Sequence, residues 1–338
     1  MTTYKEINGT NIEVLASDPS NPVEGQVWYN STSNVVKGSA VTTAGAWVTG
    51  GALNQAREGA ASTGTTKSAA LFAGGRIGPA GAPPGISANT ELYNGTSWTE
   101  VNNLISGRWQ TTGLGSQTAA LAFGGQVAPV PSGSPTVNTE SWNGTSWTEV
   151  NNLTAAKSQQ AGIGTQTSGL GVGGNTGSIT GQTESWNGTS WTEVNDLNTA
   201  RQGLGGAGID NTSGLVFGGQ DPSGAIAVTE SWNGTSWTEV ADLNAARRYI
   251  GGTGTQTSAL GFGGRPEGPS GSLTESWNGT SWTEDGDLSN ARFAMGSAGS
   301  SNTNALAFGG DTEPRAFTTA TEAWTGAGAV LIQTFTDS

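Results

Sequence analysis

The side chains best suited to acid–base chemistry in this sequence are glutamates, because histidine and cysteine are both absent. Most of the glutamates belong to two sets that return with a repeating motif. The first set is Glu91, Glu140, Glu184, Glu230, Glu275 and Glu322, and the second is Glu100, Glu149, Glu193, Glu239 and Glu284. Paired carboxylates support glycoside hydrolysis. A residue that returns in every repeat is more simply explained as part of the scaffold, so we do not expect these glutamates to be catalytic.

The missing residue types exclude several kinds of active site. Zinc centres and Ser–His or Cys–His nucleophiles normally use histidine or cysteine. The 338 residues have a net charge of −13 and lack the concentrated Lys and Arg that phosphate binding requires. No apolar stretch approaches the roughly 20 residues of a membrane helix, and the first residues do not resemble a signal peptide. We therefore predict a protein that is not an enzyme, without catalytic residues, metal or cofactor, and without nucleic-acid or membrane partners.

The sequence contains four copies of one motif, Thr-Glu-Ser-Trp-Asn-Gly-Thr-Ser-Trp-Thr-Glu. These copies begin at Thr139, Thr183, Thr229 and Thr274, and altered copies begin at Thr90 and Thr321. Asn-Gly accepts positive φ between two segments whose aromatic residues favour strands, which predicts a β-hairpin. The second tryptophan falls at Trp98, Trp147, Trp191, Trp237 and Trp282, so the period is 44 to 49 residues. A strand-rich repeat of this length is typical of a β-propeller.

Two further features return in each repeat. A basic residue opens it, at Arg57, Arg108, Lys157, Arg201, Arg247 and Arg292, and an apolar run ends in Gly-Gly, at Gly74, Gly124, Gly173, Gly218, Gly263 and Gly309. This order, over residues 47–338, resembles the kelch repeat, although the usual tyrosine at the first aromatic position is present only as Tyr93. The resemblance implies an all-β, six-bladed kelch-like β-propeller with four-stranded antiparallel blades, preceded by a short β-containing N-terminal extension. Copper-radical enzymes related to galactose oxidase share this fold, but their essential histidine and cysteine are missing here.

The last repeat lacks its second tryptophan, whereas Trp47 stands alone one period before Trp98. We therefore expect residues 46–49 to supply the outer strand of the last blade and to remove a free sheet edge. The alternative is that residues 329–335 form that strand, with the N-terminal strand outside it. Residues 47–338 are thus predicted to form a propeller closed by N- and C-terminal strands, after an N-terminal segment of residues 1–46. We also expect the first set of glutamates to pair with the opening basic residue of a nearby blade.

The N-terminal segment differs in character from the repeats. Residues 18–38, which contain Val-Trp-Tyr-Asn from Val27, resemble short segments of structural and tail-fibre-like proteins of bacteriophages, marine phages in particular. We interpret the segment as strand Gln26–Tyr29, a turn over residues 30–34 and strand Val35–Lys37. The resemblance implies a virion protein, located in the extracellular particle and made in the host cytoplasm without a signal peptide. The segment would bind other virion proteins, and a homo-oligomer in the particle is consistent with this role.

Several functions remain open within this interpretation. A tail or fibre protein would recognise a host surface glycan or protein, whereas a capsid decoration or other assembly protein would use the propeller for its shape. A cellular kelch-type interaction scaffold belongs to a different class. A sialidase is poorly supported, since Ser141–Trp147 is one residue shorter than an Asp box and has Asn in place of Asp.

The variable parts of the repeat are the loops between the second and third strands. They span residues 76–89, 126–138, 175–182, 220–227, 265–273 and 311–320, which differ in length and carry most of the prolines. Variation on one edge of a constant scaffold is typical of binding loops. A second contrast between the repeats lies just after the opening basic residue, at the presumed channel end of each innermost strand. Aromatic and arginine side chains on this rim suit stacking on sugars or a protein partner. The candidate binding residues on this rim are Trp109, Gln110, Arg248, Tyr249, Phe293, Arg76, Arg265 and Arg315. The alternatives are that exposed loops drift freely and that the large side chains plug the ring.

Overall fold

The computed structural model describes residues 12–20, 25–41, 44–78, 85–127, 133–268, 271–312, 316–327 and 330–335. These residues form strands and turns and contain no helix. No helix long and apolar enough to cross a membrane is therefore found in this described part of the chain. Contacts divide the chain into two compact units, Ala46–Thr325 and Met1–Gly45 with Gly326–Ser338. Gly326–Ser338, which the repeat pattern assigns to the propeller, are grouped by these contacts with the N-terminal segment.

The larger unit contains six four-stranded antiparallel sheets, each of which is one blade. In blades 1 to 6, the innermost strands are Ala61–Thr66, Thr112–Gly115, Ala161–Thr165, Gly205–Asp210, Gly251–Thr255 and Gly296–Ser301. The second strands are Ala69–Ala73, Ala120–Phe123, Ser168–Val172, Ser213–Phe217, Ser258–Phe262 and Asn304–Phe308. The third strands are Thr90–Tyr93, Thr139–Trp142, Thr183–Trp186, Thr229–Trp232, Thr274–Trp277 and Thr321–Thr325. The outer strands are Trp98–Val101, Trp147–Val150, Trp191–Val194, Trp237–Val240, Trp282–Glu284 and Ala46–Thr49.

Among the described residues, three of the loops between second and third strands contain a small two-stranded hairpin. The paired strands are Arg76–Ile77 with Gly85–Ile86, Gln220–Asp221 with Gly224–Ala225, and Asp311–Thr312 with Ala316–Phe317. These hairpins belong to blades 1, 4 and 6, so the variable loops differ in structure as well as in length.

The six blades form a closed ring. The innermost strand of each blade lies against that of the next, and the innermost strand of blade 6 lies against that of blade 1. Backbone hydrogen bonds join neighbouring blades at one end of these strands. The Gly203 amide donates to the Gln159 carbonyl at 2.8 Å, and the Gly59 amide donates to the Ala294 carbonyl at 2.9 Å. The second of these bonds links blade 1 to blade 6, and the predicted six-bladed propeller is confirmed.

The second tryptophan of each repeat ties its blade to the preceding one. Its indole N–H donates to the hydroxyl of the threonine that begins the third strand of that blade, as from Trp147 to Thr90 at 3.0 Å. The same bond joins Trp98 of blade 1 to Thr321 of blade 6 at 3.0 Å. Both groups are buried, so the hydroxyl gives the indole N–H the hydrogen-bond partner that water cannot supply there. This contact explains why threonine and tryptophan return together in each repeat.

Each blade also contains one buried ion pair. The opening basic residue contacts the glutamate of the third strand, at 2.8 Å for Arg108–Glu140 and 2.7 Å for Arg247–Glu275. The predicted pairing is confirmed, but the partner belongs to the same blade and not to a neighbouring one. The other carboxylate oxygen accepts a backbone N–H from the connection that enters the blade, as Glu275 does from Asn244 at 2.7 Å. The pair therefore holds the connection between two blades.

The strand Ala46–Thr49 completes blade 6 by pairing with Thr321–Thr325. This is the arrangement that the unmatched tryptophan favoured. The alternative strand, Val330–Phe335, pairs instead with Val35–Val41 in the other unit. Blade 6 thus contains both the first strand of the larger unit, Ala46–Thr49, and its last strand, Thr321–Thr325.

The smaller unit contains one four-stranded sheet. In spatial order its strands are Glu13–Leu15, Val27–Asn30, Val35–Val41 and Val330–Phe335. Trp28 is buried, and its indole N–H donates to the Asp18 carboxylate at 3.1 Å. Asp18 also accepts from the Asn30 amide and pairs with Lys37, both at 2.7 Å. Hydrogen bonds from Lys37 first, and then from Asn30, lower the pKa of Asp18. The expected strand, turn and strand over residues 26–37 are present.

Candidate functional site

The innermost strands surround a cavity of about 680 Å³. Glycines allow these strands to approach one another closely. A Cβ on Gly113 would lie 2.6 Å from the Ser62 carbonyl oxygen, and one on Gly252 would lie 2.7 Å from the Gly206 nitrogen. Glycine therefore lets the backbones of neighbouring innermost strands lie close together around the cavity.

At one end of the cavity, which we call the mouth, two residues of each blade meet, and eight of these twelve residues line the cavity. One follows the opening basic residue, the other follows the Gly-Gly pair, and a backbone bridge joins them. The bridged pairs are Glu58–Arg76, Trp109–Gln126, Ser158–Asn175, Gln202–Gln220, Arg248–Arg265 and Phe293–Asp311. Because the second member of each pair begins a variable loop, the mouth and the bases of all six loops lie on one face of the ring.

Arg76 is the centre of one cluster at the mouth. It forms an ion pair with Glu58 of its own blade. Its guanidinium carbon lies 4.9 Å from the ring centre of Trp109 and 5.2 Å from that of Phe317, so three blades meet through cation–π contacts. Trp109 is only 7% exposed. Its indole N–H is buried and has no hydrogen-bond partner among the described residues. The ring of Trp109 therefore packs against arginine.

A second cluster joins blades 5 and 6. The Arg265 guanidinium lies 5.3 Å from the ring centre of Phe293, and the ring centres of Phe293 and Tyr249 are 6.1 Å apart. Arg248 lies 4.0 Å from Glu267. Burial raises the pKa of Tyr249, so its phenol stays neutral well into alkaline solution. Phe293 is buried, whereas Tyr249 is only partly buried and offers the more accessible ring.

The opposite side of the mouth carries amides. Gln159 Nε2 donates to Gln110 Oε1 at 3.0 Å, and Asn175 Nδ2 donates to Gln202 Oε1 at 2.6 Å. The side-chain oxygen of Gln159, Oε1, is buried, and none of the described groups donates a hydrogen bond to it. The mouth is therefore divided into an aromatic and arginine side, from blades 5, 6, 1 and 2, and an amide side, from blades 2 to 4.

Six residues at the mouth share a left-handed backbone conformation. They are Gly59, Gln110, Gln159, Gly203, Tyr249 and Ala294, with φ between 50° and 62°. Glycine adopts this conformation readily, whereas another residue bears a strain of about 1 kcal/mol. Strain of this kind is concentrated at functional sites. Two glutamines and a tyrosine at positions where glycine costs less therefore support a role for their side chains.

Seven of the eight rim candidates line this single cavity. They are Arg76, Trp109, Gln110, Arg248, Tyr249, Arg265 and Phe293. The eighth, Arg315, lies outside the described residues. The cavity is also lined by Glu58, Gln159, Gln220 and Asp311, which sequence reasoning did not select. Glu58 follows the opening basic residue, Gln159 is one residue further on, and Gln220 and Asp311 follow Gly-Gly. An alignment of the six repeats at these positions would therefore have identified all four.

No group of three or more Asp, Glu, His or Cys residues in the described ranges is arranged to hold a metal ion. No family model matches the chain, and no curated protein matches it. Interpretation of the mouth therefore depends on its geometry and chemistry.

Proposed function

We propose that this protein is a non-enzymatic phage virion protein whose kelch-like propeller recognises the surface of a bacterial host through the mouth and the variable loops around it. The observation that carries the proposal is the separation of repeated and variable residues. Repeated Trp, Thr, Arg and Glu side chains hold the blades together. The residues that differ between blades converge at one mouth.

The mouth has the properties of a binding site. Its cavity of about 680 Å³ has the size of a pocket for a small ligand. Tryptophan, tyrosine and arginine are the residues that contribute most at binding hot spots. The buried N–H of Trp109 and the buried Oε1 of Gln159 have no described partner, and buried polar groups are normally hydrogen-bonded. A bound ligand would supply the missing partners.

The smaller unit supports the assignment to a virion. Its residues 18–38 resemble segments of phage structural proteins, and the strands Val27–Asn30 and Val35–Val41 belong to a sheet that contains no strand of the blades. One unit is therefore available for attachment to other virion proteins, while the other carries the mouth.

Immunogold electron microscopy tests the location. An antibody raised against the full chain is expected to label the tail or its fibres on purified particles. Label distributed over the head would support a capsid decoration protein instead. Particles without label would contradict the virion assignment and favour a cellular kelch-type scaffold.

A cell-binding assay tests recognition. Fluorescently labelled full-length protein is expected to bind cells of the host on which the particles grow. The double variant Tyr249→Ala, Arg265→Ala should lose this binding, whereas Glu239→Gln, on an exposed outer strand, should retain it. Equal binding by the two variants, or no binding by the unmodified protein, would refute recognition through the mouth.

A further inference from the structure

The chemistry of the mouth indicates a specific class of ligand. We infer that the mouth binds the end of an uncharged saccharide chain on the host surface. This inference rests on the proposed function, because it takes the mouth as the binding site. Three features carry it: the balance of charge, the mixture of free donors and acceptors, and an accessible aromatic ring.

The charged side chains around the mouth balance one another. The arginines are Arg76, Arg248 and Arg265, and the carboxylates are Glu58, Glu267 and Asp311. Arg76 forms an ion pair with Glu58, and Arg248 lies near Glu267. A site for a phosphate or carboxylate normally presents an excess of arginine or lysine to the ligand. The described residues provide no such excess, and an uncharged ligand fits this balance.

The unpartnered groups at the mouth are both donors and acceptors. The indole N–H of Trp109 and Nε of Arg248 are buried donors, and Oε1 of Gln159 is a buried acceptor. None of the three has a hydrogen-bond partner in the described ranges. A hydroxyl group both donates and accepts, whereas an ionised phosphate or carboxylate only accepts. The hydroxyls of a saccharide can therefore partner both kinds of group, while an ionised anion would leave Gln159 without a donor.

Tyr249 provides a partly exposed ring between the arginine side and the amide side. Its ring lies against the backbone of blade 4, since a Cβ on Gly203 would be 2.9 Å from Cδ1 of Tyr249. Glycine at this position thus makes room for the ring. An accessible aromatic face suits the apolar C–H face of a pyranose, while the hydroxyls at the edge of the sugar reach the surrounding polar groups.

The left-handed backbone positions provide variants that separate binding from folding. Glycine relieves strain at these positions, so Gln159→Gly and Tyr249→Gly are expected to fold. Ala294→Gly makes the same backbone change at an equivalent position but removes only a methyl group. It is therefore the matched control for the other two variants.

The test measures saccharide binding to the full-length protein by saturation-transfer-difference NMR and isothermal titration calorimetry. The probes are neutral trisaccharides of glucose, galactose, mannose and N-acetylglucosamine, with sialyllactose and trigalacturonate as anionic counterparts. We expect a neutral probe to bind. Loss of a hydrogen bond or of the aromatic contact should weaken its affinity by about tenfold in Gln159→Gly and Tyr249→Gly. Ala294→Gly should bind like the unmodified protein.

Failure of every neutral probe, a preference for the anionic probes, or equal weakening by Ala294→Gly would overturn the saccharide inference. If every probe failed to bind while host-cell binding persisted and were lost in the double variant Tyr249→Ala, Arg265→Ala, the proposed function would stand with a protein receptor as the ligand. Binding of a neutral probe by a protein that does not bind host cells would support a saccharide site at the mouth but overturn its assignment to the host surface, and with it the proposed function.

Discussion

The ion pair between Arg247 and Glu275 allows a direct test of how the blades are held together. The two side chains are 0% and 2% exposed. One oxygen of Glu275 accepts from Nη2 of Arg247 at 2.7 Å, and the other accepts from the backbone and side-chain nitrogens of Asn244 at 2.7 and 2.8 Å. Glutamine has nearly the same shape but only one oxygen. We therefore predict that Glu275→Gln destabilises the propeller without removing any packing volume.

The size of the effect follows from these contacts. In one orientation the new amide N–H₂ group faces the Arg247 cation, and in the other it faces the two N–H donors of Asn244. In both orientations Arg247 loses its counter-charge inside the protein, where burial already lowers its pKa. Removal of one partner of a buried ion pair costs about 3–5 kcal/mol. We expect a decrease of this size in the free energy of unfolding.

Urea unfolding followed by tryptophan fluorescence measures this decrease. The control is Glu284→Gln, because Glu284 lies directly opposite Glu275 on the outer strand but is exposed. This control should change the free energy of unfolding by no more than about 0.5 kcal/mol. If the two variants unfolded at the same urea concentration, the buried pair would not hold the blades as we have reasoned.

Three further predictions concern other parts of the ring. Lys157→Arg should stabilise the protein by roughly 1–2 kcal/mol in a thermal melt, because Arg247, at the equivalent position of blade 5, also donates to two backbone carbonyls. Gly113→Ala should destabilise it by about 1–3 kcal/mol, since the new Cβ would lie 2.6 Å from the Ser62 carbonyl oxygen, whereas Gly268→Ala has open space and should melt normally. The phenol of Tyr249 should have a pKa above the usual value of 10.0. The difference in tyrosinate absorbance between the unmodified protein and Tyr249→Phe measures that pKa. The folded protein keeps that proton where the unfolded chain loses it, so stability should fall more steeply above pH 10.0 in the unmodified protein than in the variant.

Each of these measurements has an outcome that contradicts its reasoning. A Lys157→Arg variant that melts below the unmodified protein would show that the extra volume outweighs the added hydrogen bonds. Identical melting of Gly113→Ala and Gly268→Ala would refute the close approach of the innermost strands. A difference titration between the unmodified protein and Tyr249→Phe with a pKa at or below 10.0 would refute the burial of that phenol.

The location of the candidate site could be predicted, but its contacts could not. Trp109 and Arg248 follow the opening basic residue of their repeats, so alignment of the repeats places them at equivalent positions. The cover over Trp109 comes from Arg76, which belongs to a different blade and begins a loop of variable sequence. The left-handed conformation of Gln159 could not be predicted either, because the other repeats have glycine, glutamine, tyrosine or alanine at that position. Accessibility and free hydrogen-bonding groups depend on neighbours that the repeat does not specify.

The sequence by itself determined the strands, the turns and the number of blades. Asn-Gly turns, Gly-Gly after apolar runs and paired tryptophans act over a few residues, and their period leaves only a ring of similar blades. Tertiary structure decided which partners meet. Trp98 and Thr321 are separated by 223 residues, and Glu275 could be assigned to the Arg247 of its own blade only once the sheet was folded. Local backbone preferences are contained in adjacent residues, whereas burial, ion pairing and the composition of the mouth arise only when six blades close on one another.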